Sequence, residues 1–166
     1  MKLEELKELM LLEPALTLAV AESLTGGRVQ ARVTAVSGAS KFFLGGLTAY
    51  TLEQKVKQLG VDRVAAARVN CVSAEVAEQM VHGVCGLFGA DVGVATTGYA
   101  EPSPAEGVAV PFAWWAVLVR GGGMFALKRG RVECPGATRG EAQETIADVA
   151  VAELIAVLRE VRRGSR

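Results

Sequence analysis

One histidine, His82, is the whole histidine complement of this 166-residue chain, which excludes a multi-histidine metal site and leaves His82 for an exposed helix face. Cysteine is scarce as well. Cys71, Cys85 and Cys134 are odd in number and widely spaced, with no Cys-x-x-Cys pair. Neither a disulfide framework nor a zinc site is expected, and reduced thiols in a cytoplasmic protein are the simplest account. Charge of either sign is not in excess: 18 Lys and Arg balance 18 Asp and Glu, so nothing draws the chain as a whole to nucleic acid. The one basic cluster, Arg159, Arg162, Arg163 and Arg166, reads as a solvated helix end. No apolar run is long enough to span a bilayer, and the opening Met1-Lys2-Leu3-Glu4-Glu5-Leu6 is too acidic for a signal peptide. Aromatics make up only 5% of residues against 51% hydrophobic overall, so the core must be built from Ala, Val and Leu with many tight glycine turns. The expectation is a soluble chain with a single domain over residues 1–166.

The order of elements follows from periodicity and caps. Residues 3–12 read as a helix with Leu3, Leu6 and Met10 on one face, ended by Pro14. A buried strand over 16–21 follows, then a helix opening near Thr25. A second strand covers 45–50. Thr51 starts a helix with Gln54 at the capping-box position and Leu52, Val56 and Leu59 as its apolar face. A short helical stretch spans 63–68. Ser73 caps the next helix, with Val76, Met80, Val84 and Leu87 facing the core. Residues 90–96 form a third strand. Two more strands, about 112–120 and 124–133, join through Arg120-Gly121-Gly122-Gly123 as a hairpin. Thr138-Arg139-Gly140-Glu141 is a capping box for the last helix, with Ile146, Ala150, Leu154, Val157 and Val161 as its stripe. Strands separated by helices and followed by a hairpin predict a three-layer α/β/α sandwich around a mixed, mostly parallel sheet of about five strands. The loop at 99–111, rich in Pro, Ala and Glu, is the expected mobile segment.

Chemistry in such a sheet collects at the carboxyl ends of the parallel strands. Three of these ends are polar here: Glu22-Ser23, Tyr50-Thr51 and Thr96-Thr97-Gly98. Ser23 lies in Ala21-Glu22-Ser23-Leu24-Thr25-Gly26-Gly27, where a strand meets a helix whose dipole favours negative charge. That position suits a nucleophile with an oxyanion site or a pocket for phosphate; it equally suits a plain helix cap made by Ser23 or Thr25. Lys55 falls in the first turn of its helix, where the dipole favours the neutral amine, a state able to act as a general base. If their strands are neighbours, Lys55 can take the Ser23 proton, with Tyr50 relaying it or lining the pocket. Lys55 as a solvated helix lysine and Tyr50 as an edge residue are the plainer alternatives.

The segment 21–27 resembles the AESCTGG signature of the CinA C-terminal domain family, whose characterised members are nicotinamide mononucleotide amidases of the PncC type. The match runs on through Ser37-Gly38-Ala39-Ser40, Gly45-Gly46, Ala49-Tyr50-Thr51, Glu53-Gln54-Lys55, Leu59-Gly60-Val61, residues 72–77, Gly89-Ala90-Asp91 and Thr97-Gly98. It covers about residues 15–160. The resemblance implies an amidohydrolase that converts nicotinamide mononucleotide to the acid and ammonia, with neither metal nor redox cofactor. Its nucleophile would be Ser23, its catalytic lysine Lys55 and its supporting tyrosine Tyr50. Thr25, Gly26, Gly27, Thr97, Gly98 and Arg139 would bind the substrate, with the backbone around Thr25 and Gly26 as the oxyanion site.

Departures from the family pattern bear on the substrate. Leu24 stands where the family has cysteine. Thr97-Gly98 continues into Tyr99-Ala100-Glu101-Pro102-Ser103-Pro104-Ala105-Glu106, so Glu101 places a carboxylate where a glycine is usual. Val110 replaces a lysine, and Gln143 stands near an expected arginine. Two function classes therefore remain. One is an amidase, with its substrate retained or shifted; the other is a catalytically silent member that binds a nucleotide or a protein partner. Partners expected are a small nucleotide, neither nucleic acid nor membrane, and a second copy of the chain through the apolar Phe112-Ala113-Trp114-Trp115 stretch.

Overall fold

The computed structural model describes residues 3–164; Met1, Lys2 and Arg166, which entered the readings above, lie outside them. The elements run α1 (Leu3–Leu11), β1 (Leu18–Glu22), α2 (Arg28–Thr34), β2 (Phe43–Thr48), α3 (Leu52–Leu59), α4 (Arg63–Arg68), α5 (Ala74–Phe88), β3 (Val92–Tyr99), β4 (Phe112–Val119), β5 (Ala126–Glu133) and α6 (Arg139–Gly164), with short 3-10 turns at 39–41 and 104–106. The sheet order is β2-β1-β3-β4-β5. β2, β1 and β3 are parallel, and β4 and β5 add antiparallel. Helices cover both faces, giving the expected mixed α/β sandwich.

Strand alternation sorts the core by side-chain size. Leu18, Val20, Val92, Val94, Val117 and Val119 face α1, α2 and α6, while Ala19, Ala21, Ala95 and Ala116 face α3 and α5. Small residues on the second face let α5 lie close, which explains how so few aromatics suffice. A Cβ on Gly93 would stand 2.5 Å from the Cys85 sulfur of α5.

Helix ends follow the caps read from the sequence, with one instructive exception. Thr51 and Ser73 each accept from the amide three residues on, and Asp62, which was not read as a cap, does the same for α4. Thr138 and Glu141 close a reciprocal box: the Thr138 amide donates to the Glu141 carboxylate at 2.8 Å, and the Glu141 amide donates to Thr138 Oγ1. At α2, neither Ser23 nor Thr25 caps. Gly26 and Gly27 turn the chain with positive φ, and the Glu22 carboxylate accepts from the Gly27, Val29 and Gln30 amides at 2.9–3.1 Å. The cap therefore comes from the last strand residue, reaching across a glycine turn that no residue with a side chain adopts easily.

Other expectations change for similar tertiary reasons. Leu87 is exposed; Phe88 meets the sheet instead, its ring 2.8 Å from where a Gly45 Cβ would lie. The Phe112-Ala113-Trp114-Trp115 stretch, read above as a surface for a second copy, lies within the sheet and leaves Phe112 and Trp114 half-buried. It opens β4, which is paired on both edges, with Ala113 and Trp115 buried. Arg162 is not solvated: it is 7% exposed and donates to the carbonyls of Leu9 and Pro14, tying α6 to the end of α1, while Arg159 pairs with Glu5. His82 is exposed on α5, as expected. Among the described residues no helix is long and apolar enough to cross a membrane.

Candidate active site

Strand order reverses direction between β1 and β3. The chain leaves β1 through α2 to reach β2 on one side, then crosses through α3, α4 and α5 to β3 on the other. Outside the carboxyl ends of strands at such a point the connecting loops diverge and leave a crevice. A cavity of about 380 Å³ lies there, with Ser23, Lys55, Thr97, Gly98, Glu101 and Arg139 among its lining.

Its floor is a serine and a lysine. Glu22 pairs with Thr48 in the β1–β2 register, and the Ala49 amide donates to the Glu22 carbonyl at 2.9 Å. This puts the chain after β2 beside the Ser23 turn. Thr51 then starts α3, and Lys55 falls one turn in, on the helix's buried side with Leu59. Lys55 is 1% exposed and Ser23 7%. Lys55 Nζ donates to Ser23 Oγ at 2.9 Å, to the Ala49 carbonyl at 2.8 Å and to the Tyr50 carbonyl at 3.2 Å.

That geometry sets the chemistry of the amine. Burial pushes the Lys55 pKa below its ordinary value, and the adjacent Cys71 opposes the shift by a smaller amount. Desolvation, rather than the helix dipole expected from the sequence, is the main cause of this shift. Carbonyls can only accept. In the neutral state both amine hydrogens are thus held by Ala49 and Tyr50, and the lone pair is left facing the Ser23 hydroxyl. The arrangement can take a proton from Ser23 and return it to a leaving group.

The turn behind Ser23 is braced rather than open. The Gly26 amide donates to the Ser23 carbonyl at 3.1 Å and the Arg28 amide to the Thr25 carbonyl. Thr25 is fully buried, its hydroxyl 2.8 Å from that of Thr96. Thr25, Gly26 and Gly27 do not line the cavity, which corrects the expectation that they contact the substrate. The Gly26 amide is committed within the turn, so it does not serve as an oxyanion donor. Nor is there a phosphate pocket at the start of α2, because Glu22 occupies it. On the far side, Gln143 Nε2 donates to the Leu24 carbonyl at 2.8 Å and fixes the loop from α6.

The rim is made by side chains. Tyr50 contributes its carbonyl to Lys55, but its phenol is 54% exposed and receives a hydrogen bond from Arg139 Nη2 at 2.8 Å. Tyr50 lines the pocket, with its hydroxyl bonded to Arg139 rather than to Ser23 or Lys55. Arg139 Nη1 donates to Glu101 at 2.8 Å. Thr97, buried at the end of β3, donates to the Cys71 carbonyl at 2.7 Å. Gly98 keeps β3 close to β4, since a Cβ there would lie 2.2 Å from the Phe112 carbonyl oxygen. Tyr99 receives a hydrogen bond from Asn70 at 3.0 Å.

Sequence reasoning missed four of these contributors: Glu22 as the α2 cap, Gln143 as a brace, and Asn70 with Cys71 as cavity wall. An acidic residue before a helix start is a readable signal for Glu22. Asn70 and Cys71 carry none, because their positive φ of 47° and 62° arises where α4 gives way to the Ser73 cap. Cys71 is the half-buried thiol; burial pushes Cys85 up to about 11 and Cys134 in the same direction. Among the described residues no three His, Cys, Asp or Glu side chains converge as a metal site.

Comparison with known proteins follows the same outline. The family profile described as the CinA C-terminal domain matches residues 1–158. A CinA-like protein of Chlorobium limicola is 38% identical over 162 residues, covering 96% of this chain and 37% of that protein. A putative competence-damage inducible protein of Moorella thermoacetica is 51% identical over 87 residues, 52% of this chain and 21% of that protein. The chain thus spans little more than a third of these relatives at most. Among solved structures, a competence-damaged protein (CinA) superfamily protein from Enterobacter cloacae superposes with a TM-score of 0.85 at 27% identity, covering 94% of this chain and 89% of that one. The competence/damage inducible protein CihA from Agrobacterium tumefaciens gives 0.81 at 27% identity, with 95% of each covered.

Proposed function

The chain belongs to the CinA C-terminal domain family, and from this premise we propose that it is an amidohydrolase acting by a serine–lysine mechanism on a nicotinamide-nucleotide type carboxamide. The observation that carries the reading is the 2.9 Å contact between Lys55 Nζ and Ser23 Oγ on the floor of the cavity. Neutral Lys55 takes the Ser23 proton as Oγ attacks the carboxamide carbon. The C–N bond then breaks, and the ammonium of Lys55 returns that proton to the departing ammonia. Water, deprotonated by Lys55, cleaves the resulting ester and restores Ser23. The turn's own bonds use the Gly26, Gly27 and Arg28 amides, so the oxyanion donor in this mechanism is the amide of Leu24, the turn residue beside Ser23 that lines the cavity. Tyr50, Thr97, Gly98 and Arg139 wall the substrate. No metal or redox cofactor enters the reaction as written.

Purified protein incubated with nicotinamide mononucleotide is expected to release ammonia, and Ser23→Ala to stop it. Release at an equal rate from Ser23→Ala overturns the mechanism. A second reading, a silent member that binds a nucleotide or a protein partner, draws support from the Glu101–Arg139 pair at the rim. Nucleotide binding by calorimetry with no ammonia from the wild-type protein selects it.

A further inference from the structure

We propose that Glu101 determines specificity by reserving Arg139, so that the cleft favours a carboxamide whose far end is uncharged over its phosphorylated counterpart. The inference deepens the amidase reading and rests on it for turnover, though not for binding.

Among the described residues, three charged side chains line the cavity: Lys55, Glu101 and Arg139. Lys55 is buried on the floor and committed to Ser23 and two carbonyls. A phosphate must therefore look to Arg139, whose planar fork binds an anion best through two parallel N–H groups. One hydrogen on each terminal nitrogen of that fork is already engaged. Nη1 donates to the Glu101 carboxylate and Nη2 to the Tyr50 hydroxyl, each at 2.8 Å. The other anion-binding feature near Ser23, the start of α2, holds the Glu22 carboxylate on three backbone amides. Each place that would receive a phosphate thus already holds a carboxylate of the chain against it.

An incoming phosphate has either to displace Glu101 or to take the remaining Arg139 N–H groups beside it, and in both cases like charge lies next to like charge. An uncharged end asks nothing of Arg139. The Glu101–Arg139–Tyr50 bridge then serves as a standing wall, and the Tyr50 hydroxyl retains its own hydrogen for an acceptor on the substrate. Glu101 and Arg139 side chains are 61% and 46% exposed, so solvent screening holds the discrimination to about tenfold rather than thousands.

The test compares nicotinamide riboside with nicotinamide mononucleotide, which differ by the phosphate. Ammonia release by wild-type protein is expected to show the higher kcat/KM on the riboside. Glu101→Gln, which keeps shape and removes charge, should raise the nucleotide-to-riboside ratio of kcat/KM about tenfold, through KM. An unchanged ratio, or a wild-type preference for the nucleotide, overturns the inference. In parallel, both ligands are titrated calorimetrically into Ser23→Ala with and without Glu101→Gln. An approximately tenfold gain in nucleotide affinity alone, with no ammonia from any Ser23-containing protein, supports the role of Glu101 and overturns the amidase reading. No such gain overturns the role of Glu101 whatever the turnover.

Discussion

On the floor of the cleft, Ser23 and Lys55 are almost wholly buried and the amine is held by two backbone carbonyls. On its rim, Glu101, Arg139 and Tyr50 are about half exposed and hold one another through side chains alone. The floor inherits its geometry from strand register and a helix cap, which cannot shift without the sheet shifting. The rim is anchored at the start of β4's preceding loop and of α6, and water screens what its charges do. One part of the cleft is therefore suited to an invariant chemical step, and the other to adjusting what is admitted.

The sharpest way to break this comparison is at the floor. Ser23→Ala removes one oxygen and is expected to lower ammonia release at least ~1000-fold, with the melting temperature nearly unaltered. A small loss of activity would make the floor no more critical than the rim. Lys55→Met should be nearly as damaging and has a second readout. Burial lowers the Lys55 pKa in the folded chain, so from that lowered value up to the ordinary 10.5 the unfolded chain binds more protons. Stability contributed by Lys55 therefore rises with pH through that window and is missing below it. Denaturant unfolding of wild type relative to Lys55→Met should show this rise. The pH–rate profile of the wild type should climb along a limb centred below 10.5.

Next in size is Glu22→Ala, which strips the cap from three amides, two of them from residues inside α2. A loss of about 3 kcal/mol is expected in chemical denaturation. If Glu22→Ala is neutral, the floor does not depend on the α2 turn as described. Gln143→Ala leaves the Leu24 carbonyl without its side-chain donor; about 1 kcal/mol of stability and a few-fold fall in kcat are expected. The smallest stability effect belongs to the rim. A double-mutant cycle on Glu101 and Arg139 should return under about 1 kcal/mol of coupling, even as it alters substrate preference. A larger coupling would erase the distinction between rim and floor.

How legible each part was follows from range. Thr51, Ser73 and the Thr138–Glu141 box declare their helices within four residues, so those starts were readable. The Val and Leu alternation in β1 and β3 placed the strands to within a few residues. Lys55 beside Ser23 required β1 and β2 to be neighbours, a condition the sequence left open and the Glu22–Thr48 register supplies. Phe112-Ala113-Trp114-Trp115 shows the limit of local reading, because an apolar run looks alike whether it covers a partner or opens an internal strand. Arg162 was misread because a guanidinium at a helix end carries no sign that Leu9 and Pro14 will offer it carbonyls.

By itself the sequence determined the local grammar of this protein: helix starts and stops, strand faces, and the serine, lysine and arginine set where strands end. Those are choices of backbone conformation and hydrophobic period, settled by residues near one another in the chain. Only the tertiary structure decided which charges meet. It gave the α2 cap to Glu22, bonded the phenol of Tyr50 to Arg139, and set Glu101 against Arg139 across 38 positions of chain. Pairings of that kind depend on distance through space, and spacing along the sequence does not encode it.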